Sequence, residues 1–212
     1  MQKLLEKIVA GASGWLELRY QSRSTKRMTV RNGDLEESSS TLLAGLGVRA
    51  LVDGVFGFAS TTDVSESGVL AAVKAAQTAA KTSASAKKHH LAGLADAPMA
   101  KGRFDVSTDD PLAAHGLDEK LALVLDLDKR IRGQAKEIVS STASYGEIQD
   151  ERIIVTTDGA SAHVFDSKPE LRAISVAQRN GDQTMGHESC GVTGGWSDLL
   201  GILAPEQLAD RA

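Results

Sequence analysis

The sequence holds one cysteine, Cys190, so no disulfide forms within the chain and a reducing compartment is expected. No apolar run approaches the ~20 residues that a membrane-spanning helix needs. Lys3, Glu6 and Lys7 interrupt the first ten positions, which breaks the hydrophobic stretch of a secretory signal. A cytoplasmic protein with no membrane partner is therefore expected. Basic charge is not in excess either, since 24 Lys and Arg stand against 28 Asp and Glu, a formal charge of -4. The cations are scattered rather than gathered into a stripe, which argues against nucleic acid as a partner. What is present is 212 residues with 42% hydrophobic content, enough for one substantial core or two small ones.

Leu4, Leu5, Ile8 and Val9 have the spacing of a short amphipathic helix that Gly11 and Gly14 end. Apolar and polar residues then alternate over 15–20, 26–31, 35–43, 45–52 and 55–60, which predicts strands. Asn32-Gly33 and Asp53-Gly54 supply the positive-φ pairs of tight hairpins, so this part reads as an antiparallel meander. Asp63 followed by Glu66 has the form of a capping box, and Val69, Val73, Ala76 and Ala80 make one narrow apolar face over 64–82. From 83 to 101 the sequence turns rich in Ser, Ala and Lys with no sustained period, which reads as a linker.

Beyond it, Leu117, Leu121, Val124, Leu125 and Ile131 share a helical face. Asp118 and Glu119 stand near its start and Arg130 and Arg132 near its end, as the helix dipole favours. Strands follow over 137–145, 149–157, 160–166 and 171–179, with Asp158-Gly159 and Asn180-Gly181 as hairpin punctuation. The expected fold is α+β, with antiparallel meander sheets and helices packed on one face, in two parts: 1–85 and 105–204, joined by 86–104. Pro205 opens a further helix over 205–212, which looks cut short.

Candidate chemistry is sparse. His187-Glu188 is how zinc-peptidase helices begin, but a second imidazole must return one turn later, and those positions hold Gly191 and Val192. Gly191, Gly194 and Gly195 would each cost a helix ~1 kcal/mol relative to Ala, so a glycine-rich loop is expected instead. His89-His90 reads as a solvated pair on the linker, and His163 as a satisfied strand histidine. Cys190 with His187 is a conceivable thiol dyad for a small hydrolase, although such dyads are normally assembled from distant segments. Asp63 is expected as a helix cap, Phe58 as core, Arg49 as a strand charge paired with a carboxylate, and Trp196 as an anchor of its loop. No catalytic or metal-ligating residue is assigned.

Three stretches nevertheless form a pattern: Val30-Arg31-Asn32-Gly33-Asp34-Leu35-Glu36, then Gly45-Leu46-Gly47-Val48-Arg49-Ala50-Leu51, then Gly57-Phe58-Ala59-Ser60-Thr61-Thr62-Asp63 before an Ala-rich helix. In that order and spacing the chain resembles the start of the TldD/PmbA family, and the likeness runs more loosely through Gly191 to Gly195. The wording around Arg49 is closer to the TldD branch than to the PmbA/TldE branch.

The resemblance implies a zinc peptidase whose HExxxH motif lies in a carboxy-terminal domain absent from this chain, with zinc expected only there. It also implies subunits that pair, as homo- or heterodimers, around a chamber that accepts unfolded peptides. No family metal ligand falls on any residue between Met1 and Ala212. The chain is thus expected as the amino-terminal scaffold and chamber segment of a TldD-like metallopeptidase subunit; the alternative is a non-catalytic PmbA/TldE-like partner module. His187, Glu188, Gly194 and Gly195 are the candidates for lining the peptide groove.

Overall fold

Asn32, Asp53 and Asn180 carry φ values of 52°, 49° and 52°, and each is followed by a glycine at positive φ, the backbone that two-residue hairpins require. These turns punctuate the computed structural model, which describes residues 1–106 and 108–212. Its order is α1 (Gln2–Ala10), β1 (Trp15–Arg31), β2 (Asp34–Val52), β3 (Val55–Thr61), α2 (Glu66–Ala84), β4 (Lys101–Asp105) and a short 3-10 turn (Leu112–Ala114). Then come α3 (Leu117–Gly133), β5 (Ile138–Thr156), β6 (Ser161–Arg179), β7 (Asp182–Gly191), α4 (Trp196–Ile202) and α5 (Pro205–Arg211). The fold is α+β, as the alternation patterns lead one to expect.

The strands differ from expectation in length. β2, β5 and β6 each run for 19 residues and β1 for 17, against a usual ~5–6. Segments that read as separate strands are continuous: the polar run Gln21 to Thr25 stays extended within β1, and Ser167-Lys168-Pro169 within β6. Proline's fixed φ is compatible with a strand, so it need not end one. β1, β2, β5 and β6 each contribute to both of two compact units. One comprises Met1–Arg23, Leu43–Asp105 and Asp150–Phe165; the other comprises Ser24–Leu42, Val106–Gln149 and Asp166–Ala212.

In the first unit the hydrogen-bonded order is β3-β2-β1-β5-β6-β4, antiparallel between β2 and β3 and parallel between β4 and β6. Its core joins Leu5 and Ile8 of α1 and Val69, Val73 and Ala76 of α2 to Leu16, Leu18, Leu46, Val48 and Ile153 of the strands. β4 takes up the end of the segment read as a linker and the residue after it; its pairing with Ser161 to Phe165 of β6 is long-range and leaves no local signature. α2 is capped by Ser65, whose side chain accepts from the Gly68 N–H at 3.2 Å, rather than by Asp63. Asp63, two residues earlier, instead accepts from the Ser65 N–H at 3.0 Å, and the Ser65 side chain, then this backbone bond, hold its carboxyl below the usual range.

In the second unit the order is β2-β1-β5-β6-β7. Val124, Leu127 and Ile131 of α3 pack with Tyr145, Leu171, Trp196, Leu199 and Leu208. The buried stripe of α3 is Lys120, Val124, Leu127, Asp128 and Ile131, while Leu117 and Leu125 are 52% and 37% exposed. The helix is therefore turned relative to the face expected from its leucines, because two ionic groups take interior positions. Of the expected glycine-rich loop, the part up to Gly191 is strand β7, in register with β6 from Glu170↔Gly191 to Arg179↔Asp182, while Gly194 and Gly195 do lie in a turn. Pairing on one side supplies the hydrogen bonds that make its glycines tolerable.

Candidate functional site

Two features combine polar chemistry with defined geometry. In the second unit, Lys120 is fully buried on α3 and donates to the Leu112 carbonyl at 2.9 Å and to Glu147 Oε2 at 2.6 Å. Tyr145 donates to the same carboxylate oxygen at 2.6 Å, and Lys26 Nζ lies 2.9 Å from Glu147 Oε1. Burial alone would raise the Glu147 pKa, but these donors outweigh it and the carboxyl sits below its ordinary range. Burial first, then the bond to Glu147, pushes the Tyr145 phenol far up, so it stays protonated. Every group here is satisfied by another, which describes a structural network rather than a catalytic acid or base.

In the first unit, strand alternation sends Leu16, Leu18, Leu46 and Val48 to the core and puts Glu17, Arg19, Gln21 and Arg23 on the opposite face. On β2 that face carries Gly45 and Gly47, and on β3 Phe58 and Ser60; Gly47 stands opposite Ser60 and Arg49 opposite Phe58. With two side chains missing from the middle strand, an open trough of about 970 Å³ runs between Arg19, Gln21 and Arg23 on one wall and Phe58, Ser60 and Thr62 on the other. Phe58, expected in the core, is 63% exposed because its strand parity points it away from the helices. Arg49 pairs with Glu17 at 3.0 Å, as its sequence context implies, and its guanidinium lies 5.2 Å from the Phe56 ring centroid.

The residues singled out in the sequence are dispersed. His187 and Glu188 are neighbours on β7, paired with Ile174 and Ala173, so their side chains point to opposite faces of the strand. Cys190 is three residues from His187 on the same strand, hence also on the opposite face and ~10 Å along it. Burial pushes the Cys190 thiol up, away from the thiolate that nucleophilic attack requires. Gly194 and Gly195 lie in the turn before α4. A Cβ on Gly195 would come within 2.1 Å of the Asp110 carbonyl, so this glycine is required by close backbone approach.

Trp196 is buried, as expected of an anchor, with Tyr145 edge-on at 5.7 Å and His115 stacked at 4.6 Å. His163 bonds Glu151 at 2.8 Å. His90 is not simply solvated, since Nε2 lies 3.0 Å from the Lys87 carbonyl and Nδ1 contacts the Asp53 carbonyl. Among the described residues, no three His, Cys, Asp or Glu side chains are grouped to hold a metal ion. Among the same residues no helix is long and apolar enough to cross a membrane.

Two family models match the chain: the PmbA/TldA metallopeptidase domain 1 over residues 16–80 and the PmbA/TldA metallopeptidase central domain over 110–212. A curated metalloprotease of Methanothermobacter thermautotrophicus is 26% identical over 185 residues, covering 87% of this chain and 39% of that protein. A metalloprotease TldD homolog of Haemophilus influenzae is 26% identical over 182 residues, covering 85% of this chain and 36% of that protein. The chain thus spans well under half the length of these relatives. Among solved structures, TldE from Thermococcus kodakarensis superposes with a TM-score of 0.76 at 13% identity, over 99% of this chain and 46% of that one, and so shares the fold. With both matched domains in order along one chain, this protein belongs to the PmbA/TldD metallopeptidase family.

Proposed function

We propose that the chain is the amino-terminal scaffold of a TldD-like zinc metallopeptidase subunit, forming part of the wall of a chamber that receives unfolded peptides. The observation that carries this reading is the pair of family matches in a chain that reaches only 39% and 36% of the length of its metalloprotease relatives. In this reading the zinc and its glutamate base belong to a domain outside these residues. A metal held there would lower the pKa of its bound water towards ~7. This chain's own contribution is positional. Its long strands hold the two units and the unpaired stretches of β2 and β7, which offer backbone groups to an extended peptide. His187, exposed on β7, is the groove-lining candidate best placed to reach such a peptide.

The TldD branch is preferred over a non-catalytic PmbA/TldE-like partner because a relative named as a TldD homolog aligns across 85% of the chain. A dimeric assembly with a second family subunit belongs to the same proposal. The test compares this chain with the complete gene product that contains it. Zinc-dependent, chelator-sensitive cleavage of an unfolded peptide by the complete product, and none by the chain alone, is the expected result. Cleavage by the chain alone would overturn the scaffold reading, and a complete product that holds no zinc would favour the partner module.

A further inference from the structure

The trough in the first unit has a chemistry that the scaffold reading leaves unused. Its lining includes the guanidinium groups of Arg19 and Arg23 and no carboxylate. The carboxylates that pair with them lie beneath: Glu17 is 7% exposed and Asp150 is 3% exposed, while Arg19 and Arg23 remain 57% and 48% exposed. Solvent therefore meets cations on this face, although the chain as a whole carries a net charge of -4. The pair with Glu17 holds the Arg19 guanidinium plane in place while leaving it exposed to an incoming anion.

Beside the cations and the neutral polar groups of Gln21, Ser60 and Thr62, the same face carries exposed apolar side chains. The protein has only two Trp, two Tyr and four Phe. Trp15, Phe56 and Phe58 are nevertheless gathered here, Trp15 edge-on to Phe56 at 5.6 Å and Phe58 bordering the trough. Leu43, at the end of the trough, is 71% exposed. Exposed aromatic and arginine side chains beside a groove are the composition of a binding surface rather than of an idle one. β3 pairs with β2 only between Leu46 and Val52, so the β2 backbone at Leu43 and Ala44 has no β3 neighbour beside it. That short edge lies at the mouth of the trough and suits a strand-like ligand.

We infer that this trough binds an extended polypeptide segment rich in carboxylate and apolar side chains, with the apolar groups over Gly47 against Phe58 and a carboxylate on Arg19. The inference deepens the chamber reading by naming the kind of peptide. It concerns binding by this chain alone, so its failure would leave the zinc question untouched.

The test titrates the 212-residue chain against labelled short peptides in which Glu alternates with Leu, and against counterparts with Lys in place of Glu, reading fluorescence anisotropy. The Glu-containing peptide binds at least about tenfold more tightly, and added salt narrows the gap. Gly47→Val fills the floor without a backbone penalty, because Gly47 is in an ordinary strand conformation and a Cβ there meets only the Phe58 ring at 3.4 Å. Gly47→Val and Phe58→Ser each weaken binding about tenfold with circular dichroism unchanged, and Arg19→Ala lowers the salt sensitivity. Should Gly47→Val misfold, Phe58→Ser at its exposed site still decides the matter. Equal binding of the two peptides, or indifference to Phe58→Ser, overturns the inference. So does sedimentation showing a dimer that Phe58→Ser dissolves, which would assign the face to a second copy.

Discussion

Lys120 shows how a charged side chain can serve as a core residue. With no exposure, it is held by the Leu112 carbonyl and by Glu147, whose other partners are Tyr145 and Lys26. Lys120→Met removes the strongest partner of a buried carboxylate and is expected to cost roughly 3–5 kcal/mol in urea unfolding. Adding Glu147→Gln should recover much of that loss; if the double variant is as unstable as the single one, the ion pair is not the cause. Glu147 has a depressed folded pKa. Its contribution is therefore complete above its ordinary value of 4.5 and lost as pH falls through the lower folded value. His115 has the opposite sign. Its Nε2 lies 2.7 Å from Asp110 and its Nδ1 2.9 Å from Glu119; the Asp110 bond, against burial and with help from Glu119, raises its pKa. The stability it confers is complete below 6.5 and lost as pH rises through the raised value. Melting curves across that range should show the loss in the native chain and not in His115→Gln, and identical profiles would remove His115 from the account.

At the scale of elements, the contact between α2 and β3 is set by Gly57, where a Cβ would stand 2.1 Å from the Ala76 carbonyl and 2.4 Å from the Ala80 nitrogen. Gly57→Ala must push the helix off the sheet and should destabilise by roughly 1–3 kcal/mol or more, read as a shifted urea midpoint. Ser65→Ala removes the helix cap at a cost of about 1 kcal/mol. Asp63→Ala is expected to cost less, and a reversed order would return the cap to Asp63.

The elements that were readable from sequence are those with local causes. The Asx-Gly hairpins follow from φ, the α2 stripe from a 3.6 period, and the start of α5 from Pro205. What escaped depends on distant partners. β4 is a strand only because β6 lies beside it, the polar stretches within β1 and β6 are strands only because neighbours continue past them, and α4 is too short to show a period. Hydrophobic patterning assigns Lys120 and Asp128 to solvent, since only their partners make interior positions tolerable. Gly45 and Gly47 enter the sequence reading only as part of the family pattern, and the trough they floor takes shape only when Arg19 and Phe58 stand on either side.

For the whole molecule, the central proposal is that this family member's chain is a scaffold without a hydrolytic metal of its own. Two units share four long strands, and their interiors are filled by apolar packing and by ionic groups already paired with one another. A metal that bound the folded form alone would stabilise it by mass action, raising the melting temperature as its concentration exceeds the dissociation constant. The most direct measurement is therefore the melting temperature of the isolated chain, with a zinc titration by calorimetry alongside, in chelator and then in excess zinc. The account predicts coincident melting curves and no stoichiometric heat; a higher melting temperature in zinc, with saturation at one ion per chain, would contradict it.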